Sequence, residues 1–199
     1  MTTDQASKPF AYPERLLNGG IDALLALARF LIAFEFILYG SRKFLHPMNI
    51  YTRIAEHGLP GELVYLVQPW QVIFGTLLFI GFQTRLAAFA LFGFCIIAPS
   101  IFWLDSLENL TRDYATAGGL LLFFVYGPGA LSAEASLGRG RDVVVTTFAS
   151  VMRNPVLMGR ILLFARVLLA LPFLADAAKG LVHMGEQQAF FSAHGFREW

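Results

Sequence analysis

Apolar residues dominate five stretches of the chain, residues 21–45, 63–82, 86–104, 110–126 and 156–182, while polar residues, glycine and proline collect between them. Each stretch is near the ~20 residues an α-helix needs to cross ~30 Å of hydrocarbon. The pattern predicts five membrane-spanning helices. The punctuation predicts where they stop. Helix one is expected from about Gly20-Ile21 to His46, because Pro47 pushes the residue before it out of helical backbone. Residues 48–56 read as a short amphipathic helix at the interface, ended by Gly58 and Pro60. Gln83-Thr84-Arg85 reads as a tight turn between helices two and three. Gly127-Pro128-Gly129 ends helix four, residues 133–137 suit a short surface helix, and Pro155 fits the first turn of helix five. Ala115, Gly118 and Gly119 give helix four a small-residue flank that permits close helix contact.

A longer pattern overlies the first. Residues 28–58 recur without a gap 137 positions later: Ala28-Arg29 as Ala165-Arg166, Leu31 as Leu168, Ala33 as Ala170, Phe36 as Phe173. All four histidines fall inside the match, His46 and His57 against His183 and His194. Helix five follows four crossings, so it is expected to run parallel to helix one, as a partial parallel repeat. The expected organisation is a cytoplasmic tail at 1–20, a four-helix bundle at 21–137, a cytoplasmic connection at 138–154 and a partial second repeat at 155–199. The fold class is all-α: a polytopic membrane four-helix bundle plus a fifth transmembrane helix.

Composition supports the bilayer. With 56% hydrophobic and 15% charged residues, a water-soluble domain of 199 residues would lack polar surface. Cys95 is the single cysteine, which excludes an intrachain disulfide and dithiol redox chemistry by this chain alone. The polar first 18 residues and the length of the run after them predict no cleaved signal. With the amino terminus placed in the cytoplasm, basic residues number seven on that side against six on the other. That count, together with Arg139 and Arg141 in a short connection, predicts a cytoplasmic amino terminus and a periplasmic carboxy terminus. No phosphate-binding glycine loop is present, and nothing suggests nucleic acid.

Several spaced motifs carry a resemblance. Arg29, Gly40, Arg42-Lys43-Phe44, Gly58-Leu59-Pro60, Gly81-Phe82-Gln83-Thr84-Arg85 and Gly127-Pro128-Gly129-Ala130-Leu131-Ser132 occur in order, and residues 21–137 resemble the DoxX family of small bacterial and archaeal membrane proteins. The resemblance implies a four-helix bundle in the bacterial inner membrane, near respiratory electron transfer and quinone chemistry. It supplies no catalytic residue, and helix five departs from its four-span pattern.

Ionisable side chains inside apolar runs are the candidate chemistry. Glu35, Tyr39, Arg42 and His46 share one face of helix one, and the matching positions on helix five include Asp176, Lys179 and His183. Arg29 and Arg166 lie deeper, on another face, and are expected to bond backbone carbonyls, a carboxylate or a lipid phosphate. A quinone headgroup would be held by His46, Arg42, Gln68, Trp70 and Gln71. Haem and metal are disfavoured because no C-x-x-C-H and no short ligand pair occurs, so no intrinsic cofactor is expected and quinone is the one candidate ligand. Two functions follow. The favoured one is a non-catalytic accessory subunit, not an enzyme on its own, that stabilises a larger respiratory or photosynthetic electron-transfer complex through helix five and shapes quinone access. The alternative is a quinone-reactive subunit of an oxidoreductase. Lipid and other membrane subunits are the expected partners.

Overall fold

Proline and glycine set the helix boundaries much as their chemistry requires. The computed structural model describes residues 14–104, 106–137, 154–182 and 184, with side chains from residue 20 onward. Among them the helices are α1 (Glu14–Leu45), α2 (Pro47–Glu56), α3 (Val64–Ile80), α4 (Thr84–Phe102), α5 (Leu107–Tyr126), α6 (Ala133–Leu137) and α7 (Pro155–Val182), with a 3-10 turn at Gly61–Leu63. Pro47 separates α1 from α2, Gly81 ends α3 in a left-handed conformation at φ 70°, and Pro155 opens α7. One boundary departs from expectation. α1 begins at Glu14 rather than near Gly20, running through Asn18-Gly19-Gly20. A glycine inside a helix costs only ~1 kcal/mol, too little to stop a helix of this length.

The chain is a polytopic helical membrane protein. Among the described residues, three segments are long and apolar enough by themselves to cross a membrane: Gly61–Ile80, Thr84–Phe102 and Pro155–Val182. α1 and α5 are the other two long helices, and each carries charge along its length, Asp22, Arg29 and Glu35 on α1 and Glu108, Arg112 and Asp113 on α5. On composition alone, five expected crossings become three.

α1 packs on α3, α3 on α4 and α4 on α5. The circuit closes where α5 meets α1, since a Cβ built on Gly119 would lie 2.9 Å from Ile32 Cδ1. The enclosed core includes Ala33, Phe36, Leu78, Ala88, Leu91 and Leu120. α7 stands outside this circuit, against α5, where Ala165 and Leu168 bury themselves beside Gly118. Contacts also fix direction. α1 meets the end of α5 through Arg29 and its middle through Ile32, and α7 meets the middle of α5 through Ala165 and its start through Lys179. Both helices therefore run antiparallel to α5 and parallel to each other. The outer surface is as apolar as the core, with Leu24, Leu31, Phe89, Ile97, Phe173 and Leu181 among the exposed side chains, as lipid contact demands.

Candidate functional site

Two buried polar nodes lie at opposite ends of the circuit. At the Gly127 end, α5 finishes with carbonyls that no helical N–H can reach; Arg85 of α4 takes two of these, and Arg29 of α1 takes carbonyls of the loop that follows. Arg29 donates from Nη1 to Pro128 O and from Nη2 to Leu131 O at 2.6 Å, while its Nε has no partner. Arg85 donates from Nε to Phe124 O at 3.1 Å and from Nη2 to Val125 O at 3.4 Å. A guanidinium at a helix carboxy terminus also meets the negative end of the helix dipole. The glycines here have no room for a side chain: a Cβ on Gly127 would sit 2.9 Å from Arg85 Nη2, and one on Gly81 would sit 2.7 Å from Ser132 Cβ. Glu134, 5% exposed, ties α6 into the same node. Its N–H donates to Gly81 O at 3.0 Å and its carboxylate accepts from Thr84 N at 3.3 Å. Asp22 accepts from Ala130 N at 3.0 Å. Of the motifs that carry the family resemblance, Arg29 is thus bonded to residues 127–132, and residues 81–85 are tied to the same end through Glu134 and the last carbonyls of α5.

The second node lies below α2. Lys43 Nζ donates to Gln71 Oε1 at 2.6 Å and stands 5.4 Å from the centre of the Phe94 ring. Gln68, 2% exposed, returns a hydrogen bond from Nε2 to Lys43 O at 2.8 Å. Asp113 from α5 is within electrostatic reach of Lys43 and of buried Cys95, and Glu35 is within reach of Arg112 and Asp113. Ser100 and Tyr114 share a hydrogen bond at 2.9 Å between α4 and α5. α2 lies against the end of α4, with the Arg53 guanidinium 4.1 Å from the Trp103 ring centre and His57 edge-on to Phe102.

The residues expected to hold a quinone separate into two groups. Gln68 and Gln71 turn inward and bond Lys43, whereas Arg42 and His46 are exposed on the other side of α1. Trp70, 38% exposed, donates its indole N–H to Ala90 O at 3.3 Å. The five do not form one pocket, and the reason is rotational: neighbours on a helix point ~100° apart, so Arg42 and Lys43 cannot share a side. Lys43 faces the interior, toward Gln71. Tyr39 points outward with Arg42, while Glu35, on the same expected stripe, is partly buried near α5.

On α7, Arg166 and Asp176 are exposed, and Lys179 pairs with Glu108 at 3.9 Å, both side chains largely in the open. Such a pair contributes little stability. His183, His194 and Asp105 lie outside the described residues, as do 1–13 and 138–153. A bis-histidine arrangement of His46 and His183 would require α1 and α7 to be neighbours, but the principal neighbour of α7 is α5.

Residues 24–104, from within α1 to just past α4, match the family described as DoxX. The chain is similar to the inner membrane protein YqjF of Escherichia coli (strain K12), 27% identical over 123 residues that cover 59% of this chain and 95% of that protein. No solved structure matches.

Proposed function

This chain belongs to the DoxX family of membrane proteins, and from that premise we propose that it is a non-catalytic accessory subunit of the inner membrane that docks through α7 onto a larger electron-transfer complex. All five long helices cross the bilayer in this reading. α1 and α5 are admitted despite their charges because Arg29, Lys43, Glu35 and Asp113 turn into the two nodes rather than into lipid. The Gly127 end faces the cytoplasm by the count of basic residues. α7 is then a copied first helix added to a complete four-helix bundle.

One observation carries the reading: α7 buries only Ala165 and Leu168 and leaves Arg166 exposed midway along an apolar helix. An intramembrane cation without a partner is costly, and a protein subunit that covers it removes the cost. Inner-membrane localisation follows the similarity to YqjF, and the link to respiratory or photosynthetic complexes and quinone access follows the family resemblance. The measurement is native electrophoresis after extraction of the native membrane in mild detergent. The chain is expected in a band several times its own mass, together with subunits of an electron-transfer complex. A solitary, monodisperse monomer at every detergent strength would reject the proposal.

The α2-side node supports a second reading, a quinone-reactive subunit. Lys43 gives one hydrogen bond, to Gln71, and its remaining ammonium protons suit a quinone carbonyl, with positive charge stabilising a reduced oxygen. The headgroup would then rest on Lys43 and Gln71, with Arg42 and His46 outside the site. Purified wild-type protein is expected to carry quinone, and a Lys43→Met variant to lose most of it. Equal content in the two would end this reading.

A further inference from the structure

Two copies of one helix divide a single set of contacts between them. Among the described side chains of α1, the buried ones are Arg29, Ala33, Phe36 and Gly40, a stripe at i, i+4, i+7 and i+11. That stripe meets α3 at close range. A Cβ on Gly75 would lie 3.1 Å from Phe36 Cβ and 3.2 Å from Ile37 Cγ1, and one on Gly40 would lie 2.7 Å from Val72 Cγ2. Arg29 closes the stripe on the carbonyls of Pro128 and Leu131.

Moved forward by 137 positions, the stripe becomes Arg166, Ala170, Phe173 and Ala177: three identical side chains and one exchange of glycine for alanine. None of the four is buried, and Phe173 is 76% exposed. The reverse also holds. The residues that α7 buries against α5, Ala165 and Leu168, correspond to Ala28 and Leu31, and these are exposed on α1, Leu31 at 57%. Each copy keeps the residues of both faces and uses one.

We propose that the Arg166, Ala170, Phe173 and Ala177 face of α7 docks a transmembrane helix of a different protein, in the manner in which α1 docks α3. The partner helix runs antiparallel to α7 and carries glycine, alanine or serine opposite Phe173. Toward the Gly127 end it presents free backbone carbonyls or a carboxylate to Arg166. This rests on the accessory reading and names the chemistry of its partner.

Two other occupants fit less well. In a second copy Gly75 is already covered by α1 and Gly118 by α7, which leaves Gly93 as the open glycine within α3, α4 and α5, and pairing two α7 faces would set Arg166 against Arg166. A lipid phosphate is distant. Gly118 and Gly119 are adjacent on α5 and meet Ala165 to Leu169 and Ile32 respectively, so Arg166 lies near the level of Ile32, three residues or ~4.5 Å deeper than Arg29. It is also eleven residues, ~16 Å, from the Pro155 end of its helix, farther than an extended arginine side chain spans.

The test is photo-cross-linking in the native membrane, with benzoylphenylalanine in place of Phe173 and, in a separate variant, in place of exposed Phe89 on α4. Position 173 is expected to give one discrete adduct with a membrane-spanning segment of another protein. That segment should hold a small residue within a turn of the cross-link and an acceptor further along. Because hydrogen bonds to a charged group are the stronger kind, Arg166→Leu should lower the yield at least about tenfold. Ala177→Phe, which fills the face without touching α5, should do the same. Adducts with lipid alone, with a second copy, or with a segment lacking small residue and acceptor would each overturn the proposal, as would an unchanged yield in both variants. If the assembly persists on native gels but only position 89 cross-links to it, the face is wrong and the accessory role stands. If there is no assembly, both fall.

Discussion

Arg29→Leu is expected to lower the stability of the detergent-solubilised protein by about 1.5–3 kcal/mol, the scale of hydrogen bonds from a charged donor, because the carbonyls it leaves are only partly buried, Leu131 being 58% exposed. The carbonyls of Pro128 and Leu131 belong to a loop that turns back over the end of the bundle. Leucine fills much of the same volume but offers no proton. Water recovers part of the loss at Leu131, which is exposed, and less at half-buried Pro128. Arg29→Lys should recover part of the loss, since an ammonium can serve one carbonyl well but lacks the planar fork that serves two. The node predicts a second route to the same failure. Gly81 has φ 70°, and a Cβ there would lie 2.8 Å from Arg29 Nη1, so Gly81→Ala should displace the guanidinium while leaving every charge in place. Thermal unfolding followed by tryptophan fluorescence, together with protease cleavage within residues 127–132, is the measurement. An Arg29→Leu protein with the wild-type midpoint and an uncut loop would show that the clasp contributes nothing.

The contrast between what could and could not be read from the chain follows from the solvent. Helix lengths and ends were legible because proline, glycine and hydrocarbon thickness act locally: α2, α6, the turn before α4 and the start at Pro155 all fall where the residues indicate. The start of α1 was not, because Asn18-Gly19-Gly20 resembles a break whose cost a long helix absorbs. Rotation of each helix was hardest. In water, the apolar side of a helix faces inward, but in lipid both sides are apolar, and nothing in Arg42-Lys43 says which cation turns to the interior. The clasp was invisible for another reason. Arg29 and the carbonyls it serves are separated by 99 and 102 positions, so Arg29 and the Gly-Pro-Gly motif could be read as marks of kinship but not as each other's partners. The small residues of α5 were legible as a contact surface, yet which helix meets which glycine depends on packing alone.

That last distinction sets up an opposite pair of outcomes at adjacent positions. On Gly118 a Cβ would lie 2.7 Å from Ala165 O, 3.0 Å from Leu168 Cβ and 3.1 Å from Leu169 Cγ, whereas on Gly119 it would meet only Ile32 Cδ1, at 2.9 Å. A backbone oxygen cannot rotate away, but the tip of an isoleucine can. Gly118→Val should therefore force α7 off α5. Overpacking costs ~1–3 kcal/mol, and it falls at the centre of the surface by which α7 is held, beside its buried residues Ala165 and Leu168. Gly119→Ala should leave both helices where they are. Cysteines introduced at Glu108 and Lys179, whose side chains approach to 3.9 Å at the α2 end, report the result when bridged by a short bis-maleimide. The bridge should form in the parent and in Gly119→Ala and fall at least about tenfold in Gly118→Val. Efficient bridging in Gly118→Val would mean that α7 is held by something other than this contact. Loss in both variants would mean that α5 tolerates no side chain on either flank, and that the close approach of α7 is not what separates them.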